Sequence, residues 1–208
     1  FNQVYTLNAQ NFGIPQHRNR AFMLSVYCEN PEVRLVVAEY FRENNLEQNP
    51  PRQMVALAEL LKLDYQNQAY RFEADESNPN YTPSRRQIRE QNIILHDGHR
   101  TITEIAWALT TKQDRNPNSG LILYDLNPQR APYRNLTPRE CFLLMGFDED
   151  DFQALSDNDF VVRNGRRFFA REIYTKMTGN SIVVNVLEAI FQQVVELKAI
   201  IWPEGDNQ

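Results

Sequence analysis

The chain has 208 residues, 42% of them hydrophobic, enough for one large or two small domains with a sizeable core. It holds no apolar run of about 18 residues and no basic or apolar leader at Phe1-Asn2-Gln3-Val4, and its two cysteines, Cys28 and Cys141, argue against a membrane span, a signal peptide and a disulfide framework. The formal charge of −5 argues against a nucleic-acid partner on whole-chain grounds, yet only four of the 22 basic residues are lysine, and the arginines cluster at Arg85, Arg86 and Arg89 and again at Arg163, Arg166, Arg167 and Arg171.

In chain order, residues 4–7 and 21–27 read as short strands around the Gly-Pro-polar loop 8–20. Residues 33–42 and 53–63 carry apolar side chains at three and four spacing and predict helices, separated by the breaker Asn49-Pro50-Pro51. From 64 to about 101 the composition turns polar and turn signals dominate, which predicts loops or short strands. Strand candidates return at 102–109 and 121–124 around the long polar loop 112–120. Residues 137–145 form a helix with Thr137 at the N-cap, Pro138 at the first position, Glu140 as capping-box partner and Gly146 as its stop. Residues 156–169 are mixed, 171–177 read as a short helical turn, and 182–201 predict a long helix apolar on more than one side and therefore buried.

Three segments point to chemistry. In Pro15-Gln16-His17-Arg18-Asn19-Arg20, alternation on an extended strand turns both arginines the same way, so they can converge on one anion or base. Two solvated arginines are the plain alternative. In Arg134-Asn135-Leu136-Thr137-Pro138-Arg139-Glu140-Cys141, a helix cap accounts for Thr137, Pro138 and Glu140 but leaves Arg134 and the following Gly146-Phe147 unexplained. In Gly179-Asn180-Ser181, a turn opens into the last helix, whose N-terminus favours a carboxylate, with ordinary N-capping as the alternative.

Together these blocks resemble motifs VIII, IX and X of the cytosine-5 DNA methyltransferases, with Asn11-Phe12-Gly13-Ile14-Pro15 ahead of the first and Ala21-Phe22-Met23-Leu24 behind it. The resemblance implies an α/β fold: the C-terminal edge of a Rossmann-like S-adenosylmethionine methyltransferase domain plus a small, mixed, loop-rich target-recognition domain. Residues 1–63 would end the catalytic domain, 64–130 would recognise the target, and 131–208 would return to the catalytic domain. By the same resemblance Arg20 contacts the target base or its phosphate and Arg18 organises that pocket. Asn180 and Ser181 line the S-adenosylmethionine site, and Arg134, Arg139 and Glu140 form structural ion pairs. Thr178 stands where the family more often has an apolar residue, and Ala108, in Trp107-Ala108-Leu109, replaces the family's usual Thr.

Charge and loop position alone nominate Arg85, Arg86, Arg89, Lys112, Gln113, Arg115 and Asn116 as contacts to double-stranded DNA, against the plain reading of exposed charge on polar loops. Cys141 has no adjacent base and is rejected as a nucleophile. His96 and His99 lack a cysteine nearby, so no structural zinc is expected.

The family's Pro-Cys nucleophile, Glu-Asn-Val acid and Phe-x-Gly-x-Gly cofactor loop do not occur in these 208 residues. The expectation is a cytoplasmic, prokaryotic protein associated with the nucleoid through DNA. It would be cut inside a longer protein at Phe1, inactive alone, and completed by an N-terminal catalytic half in the same chain or a separate subunit. An exposed apolar face could make the piece dimerise. The competing expectations are a non-catalytic DNA-binding specificity subunit or inactive paralogue, and a purely structural interaction domain.

Overall fold

Alternating side chains near the start build a two-stranded ladder. The computed structural model, which describes residues 1–49, 52–113, 115–163 and 165–202, places strand β1 at Asn2–Asn8, β2 at Gln16–His17 and β3 at Asn19–Ser25. β1 and β3 pair antiparallel from Asn2↔Ser25 to Asn8↔Asn19. The second strand thus starts and ends two residues before the expected 21–27. The period of two sends Tyr5 and Leu7 into the core and leaves the cross-strand pair Val4 and Met23 exposed on the other face.

Helix α1 (Pro31–Glu43) forms as its periodicity predicts, with the Asn30 side chain accepting from Val33 N at 2.9 Å. Pro50 and Pro51 of the expected breaker lie outside the described residues. The helix expected over 53–63 shrinks to α2 (Leu57–Leu60). Tertiary bonds claim both ends: Val55 N donates to Gly13 O, and Lys62 N donates to the Glu140 carboxylate.

Two helices stand where loops were expected, α3 (Gln68–Glu76) and α4 (Pro83–Gln91). Asn67 and Thr82 accept the first free N–H groups of each, and Pro83 sits at the first helical position. Residues that make turns are the same ones that cap helices, so the composition misled.

β4 (Ile94–His96) pairs parallel with β6 (Leu121–Leu123), which pairs antiparallel with β7 (Tyr133–Arg134). The strand expected over 102–109 is only β5 (Ala106–Trp107), and it pairs parallel with β2 rather than with its sequence neighbour. That crossing ties residues 106–107 to the loop that carries Arg18.

α5 (Pro138–Leu143) has the expected capping box: Glu140 N donates to Thr137 Oγ1 at 3.2 Å, and Thr137 N donates to Glu140 Oε2 at 2.8 Å. The left-handed Gly146 (φ +82°) follows it. Then come α6 (Glu149–Asp157), a hairpin of β8 (Val161–Val162) and β9 (Arg166–Arg167), α7 (Arg171–Asn180) and α8 (Val184–Ile201). The expected short turn at 171–177 is a ten-residue helix that runs through Gly179 and Asn180.

The main core draws Tyr5 and Leu7 from β1, Val37 and Phe41 from α1, Leu109 and Ile122 from the middle of the chain, and Val186, Ile190 and Leu197 from α8. A buried polar relay crosses it: Tyr5 OH donates to Gln193 Oε1 at 3.0 Å, and Gln193 Nε2 donates to Asn44 O. α8 is buried along one flank only, because Phe191 and Val195 on the other are exposed. No helix among the described residues is long and apolar enough to cross a membrane.

Candidate functional site

The β2–β3 segment places its two arginines differently. Arg18 falls between the strands and turns inward, 3% exposed. Its Nη1 donates to Leu109 O at 2.8 Å, and its Nη2 donates to Gly179 O at 3.0 Å and Ser181 O at 2.9 Å. One guanidinium thereby joins the β2–β3 loop, the segment that follows β5 and the α7–α8 junction. Burial, and secondarily the charge of Arg20, lower its pKa to about 10, so it stays cationic at neutral pH.

Arg20 remains exposed, its Nη1 donating to Asn19 O at 2.7 Å, and it forms no ion pair among the described residues. The two guanidinium groups therefore do not converge on one ligand as strand alternation suggested. They do line a common crevice with Phe22, Ile182 and Val183.

Gln16 does related work that sequence reasoning did not assign. Fully buried, it donates from Nε2 to Leu144 O at 2.6 Å and accepts from Leu109 N at 3.1 Å, linking the end of α5 to the same segment that Arg18 holds. The only signal for it was its place in the Pro15-Gln16 block.

The α7–α8 junction corrects the expected turn. α8 begins at Val184, whose N–H donates to Met145 O at 2.9 Å, so Asn180 and Ser181 do not cap that helix. Asn180 ends α7 with an exposed side chain, while Ser181 turns its hydroxyl inward to donate to Met177 O at 2.7 Å. Of the two, Asn180 is the side chain open to a ligand. Thr178 is buried, its hydroxyl donating to Tyr174 O and Thr175 O, so a polar residue fits that turn by bonding within its own helix.

Arg134 and Glu140 form the expected ion pair, with both side chains fully buried. Nη1 lies 2.8 Å from Oε2 and Nη2 lies 2.8 Å from Oε1. Tyr65 OH accepts from Arg134 Nε at 3.0 Å, and Lys62 N donates to Glu140 Oε1 at 2.8 Å. Burial pushes the Arg134 guanidinium down, but the Glu140 carboxylate more than offsets it and holds the charge in place. Arg139 clamps Glu73 of α3 and Glu149 of α6 while lying 4.5 Å over the Phe152 ring. Cys141, next to Glu140, is fully buried, and burial pushes its thiol well up, so it is held neutral.

The nominated surface residues separate. Arg85 donates from Nη1 to Arg115 O at 2.8 Å, joining α4 to the 112–120 loop. Arg86 is exposed, with its guanidinium over Tyr81, and Arg89 lines a cavity with Tyr65, His99 and Tyr124. Lys112, Arg115 and Asn116 are exposed on the loop. Gln113 departs from the nomination: it is fully buried, and its amide donates to Ser119 Oγ inside the loop. Position 114 of this loop lies outside the described residues.

Comparison with known proteins places this architecture. The family described as C-5 cytosine-specific DNA methylase matches residues 1–196. The type II methyltransferase M2.ScrFI of Lactococcus lactis subsp. cremoris is 28% identical over 188 residues, covering 90% of this chain and 43% of that protein. The orphan methyltransferase M.SPRI of Bacillus phage SPR is 40% identical over 62 residues, covering 30% of this chain and 12% of that protein.

Among solved structures, the S. pombe Dnmt2 methyltransferase superposes with a TM-score of 0.55 at 14% identity, covering 94% of this chain and 58% of that one. The Entamoeba histolytica methyltransferase EhMeth gives 0.54 at 13% identity, covering 97% and 54%. Such identities speak to a shared mixed α/β fold alone. The chain spans less than half the length of the Lactococcus relative and a little over half of these structures.

Proposed function

Because the chain belongs to the C-5 cytosine-specific DNA methylase family, we propose that it is part of an enzyme that methylates C5 of a cytosine flipped out of a specific duplex site. It supplies target recognition and part of the cofactor pocket. The observation that carries this reading is the Arg18 clamp. It holds the β2–β3 loop, the segment that follows β5 and the α7–α8 junction together, and two exposed side chains, Arg20 and Asn180, flank it.

In this reading Arg20 neutralises the phosphate or hydrogen-bonds the target base, with Arg18 as its positioning residue. S-adenosylmethionine, when bound, supplies the methyl group. Asn180 offers it an exposed carboxamide, while Ser181 keeps the junction closed by bonding Met177. Residues 64–130 form the target-recognition region, with Arg85, Arg86, Arg89, Lys112, Arg115 and Asn116 toward DNA and Gln113 bracing the loop from inside. Residues 1–63 and 131–208 belong to the catalytic domain.

Neither cysteine follows a proline, and Cys141 is buried and neutral, so the nucleophile belongs to a complementary N-terminal half. Val4 and Met23 on the outer face of β1–β3, and Phe191 and Val195 on the open flank of α8, are exposed apolar side chains left for that half to cover. The extra length of the relatives, more than half of the Lactococcus protein, supports this occupant over a second copy of the chain.

The test mixes this chain with a separately expressed N-terminal half and follows labelled methyl transfer from S-adenosylmethionine to duplex DNA. Transfer only in the mixture supports the reading. No transfer with both halves folded and DNA bound favours a non-catalytic specificity subunit.

A further inference from the structure

Outside the region nominated for DNA, the β8–β9 hairpin carries three arginines and no acidic residue between 160 and 169, in a chain whose net charge is −5. Arg163 and Arg166 are exposed and have no carboxylate partner among the described residues. Arg167 has one, Asp159, at 3.6 Å, and that carboxylate is nearly buried because it also accepts from Phe169 N at 2.9 Å. Asp159 therefore anchors the hairpin from behind instead of neutralising its outer face.

Strands of two residues each are too short to stand on ladder bonds alone. Here Phe168 N donates to Phe160 O at 2.8 Å, and the two rings stack with centroids 4.8 Å apart. The stack is half exposed, so it stiffens the arms without belonging to the core.

The acidic start of α6 does not cancel this charge. Glu149 is paired with Lys62 and Arg139, and Asp148 and Asp151 accept main-chain N–H groups in a capping box. That end lies nine residues, or about 13 Å of helix, from the end that feeds the hairpin. Asp157 at the near end accepts from Gln153 Nε2.

We propose that the β8–β9 hairpin is a second duplex-DNA contact, in which Arg163 and Arg166 grip backbone phosphates outside the recognised sequence. α7 sets the reach. Its first residue, Arg171, follows the hairpin, and its penultimate residue, Gly179, offers the carbonyl held by Arg18, eight residues on. That is about 12 Å, or between about three and four base-pair steps along a duplex. Free guanidinium forks suit phosphate oxygens and carry no base preference. The inference rests on the DNA-methylating reading above.

The test measures binding of the full chain to a labelled duplex of about 30 base pairs across salt concentrations, for wild type, R163A/R166A and R163K/R166K. The expected result is a salt slope shallower by about two units in the alanine variant, from about 0.9 per phosphate lost, with sequence preference unchanged and the slope restored by lysine. An unchanged slope in R163A/R166A overturns the hairpin contact and leaves the DNA-methylating reading standing. A lower melting temperature with no rescue by lysine assigns the arginines to folding, or to a protein surface, and also overturns it. Wild type that shows no salt-dependent binding overturns both.

Discussion

The carbonyl oxygen of Gly179 accepts from Arg18 Nη2 at 3.0 Å, while the α-carbon beside it rests against the main chain of Thr110 and Thr111. A Cβ there would stand 2.8 Å from the Thr110 carbonyl oxygen and closer still to the Thr110 carbon and the Thr111 nitrogen. Main chain yields little, so Gly179→Ala must push α7 off the 109–111 segment, at a cost of about 1–3 kcal/mol. A denaturant midpoint equal to wild type would show that the two segments separate freely.

Arg18 and Arg20 predict opposite phenotypes. Arg18→Ala strands three carbonyls in a buried site and lowers stability by about 3 kcal/mol, since hydrogen bonds to a charged group are among the strong ones. Arg20→Ala removes an exposed side chain and shifts stability by less than about 0.5 kcal/mol. In the assembled enzyme, Arg20→Ala lowers methyl transfer more than DNA affinity. Equal losses in both would mark Arg20 as a simple phosphate anchor.

The Arg134–Glu140 pair sets up a double-mutant cycle. Glu140→Leu leaves a buried cation unpaired, removes a helix cap partner and strips Lys62 N of its acceptor, at a cost of about 3–5 kcal/mol. R134M/E140L removes both charges and loses less than the single change. Chemical denaturation of wild type, R134M, E140L and R134M/E140L checks the order, which strict additivity would contradict.

Acid sensitivity follows from two carboxylates. Burial pushes the Asp75 carboxyl up, but hydrogen bonds from Tyr124 and Arg71 hold it below its ordinary 3.8. Burial likewise pushes Glu149 up, and Lys62 and Arg139 hold it below its ordinary 4.5. A depressed folded value means stability that is present above the unfolded value and lost as pH falls through the folded one. Asp75→Asn and Glu149→Gln should therefore flatten the stability profile below about pH 4.5, as read by thermal melts across that range. Parallel curves for variant and wild type would remove these groups from the account.

Exchange of residues 64–130 for the matching region of a relative should move the recognised sequence without abolishing methyl transfer in the assembled enzyme. Methylation mapped on a plasmid reads the result. An unchanged site would sink the domain assignment.

What the sequence disclosed was local chemistry. The Thr137–Glu140 capping box is settled within four residues and formed as expected, and the three-and-four apolar spacing of 33–42 placed α1. α3 and α4 were hidden because Asn67 and Thr82-Pro83 serve turns and helix starts alike. The end of α7 and the start of α8 depend on residues 110, 111 and 145, far away in the chain, so spacing around Gly179 placed the helix start too early. Strand alternation put Arg18 and Arg20 on one face, and it failed because Arg18 sits between two strands. Gln113 looked like a surface amide by composition and proved to be the inside brace of its loop.

All three acceptors of Arg18 are main-chain carbonyls, a group that every residue type carries alike. The clamp is therefore blind to the side chains of the segment it grips near Leu109. Side chains of that segment outside the core, such as the exposed Trp107 and Lys112, can change without a matching change at Arg18, so surface and assembly are free to diverge independently.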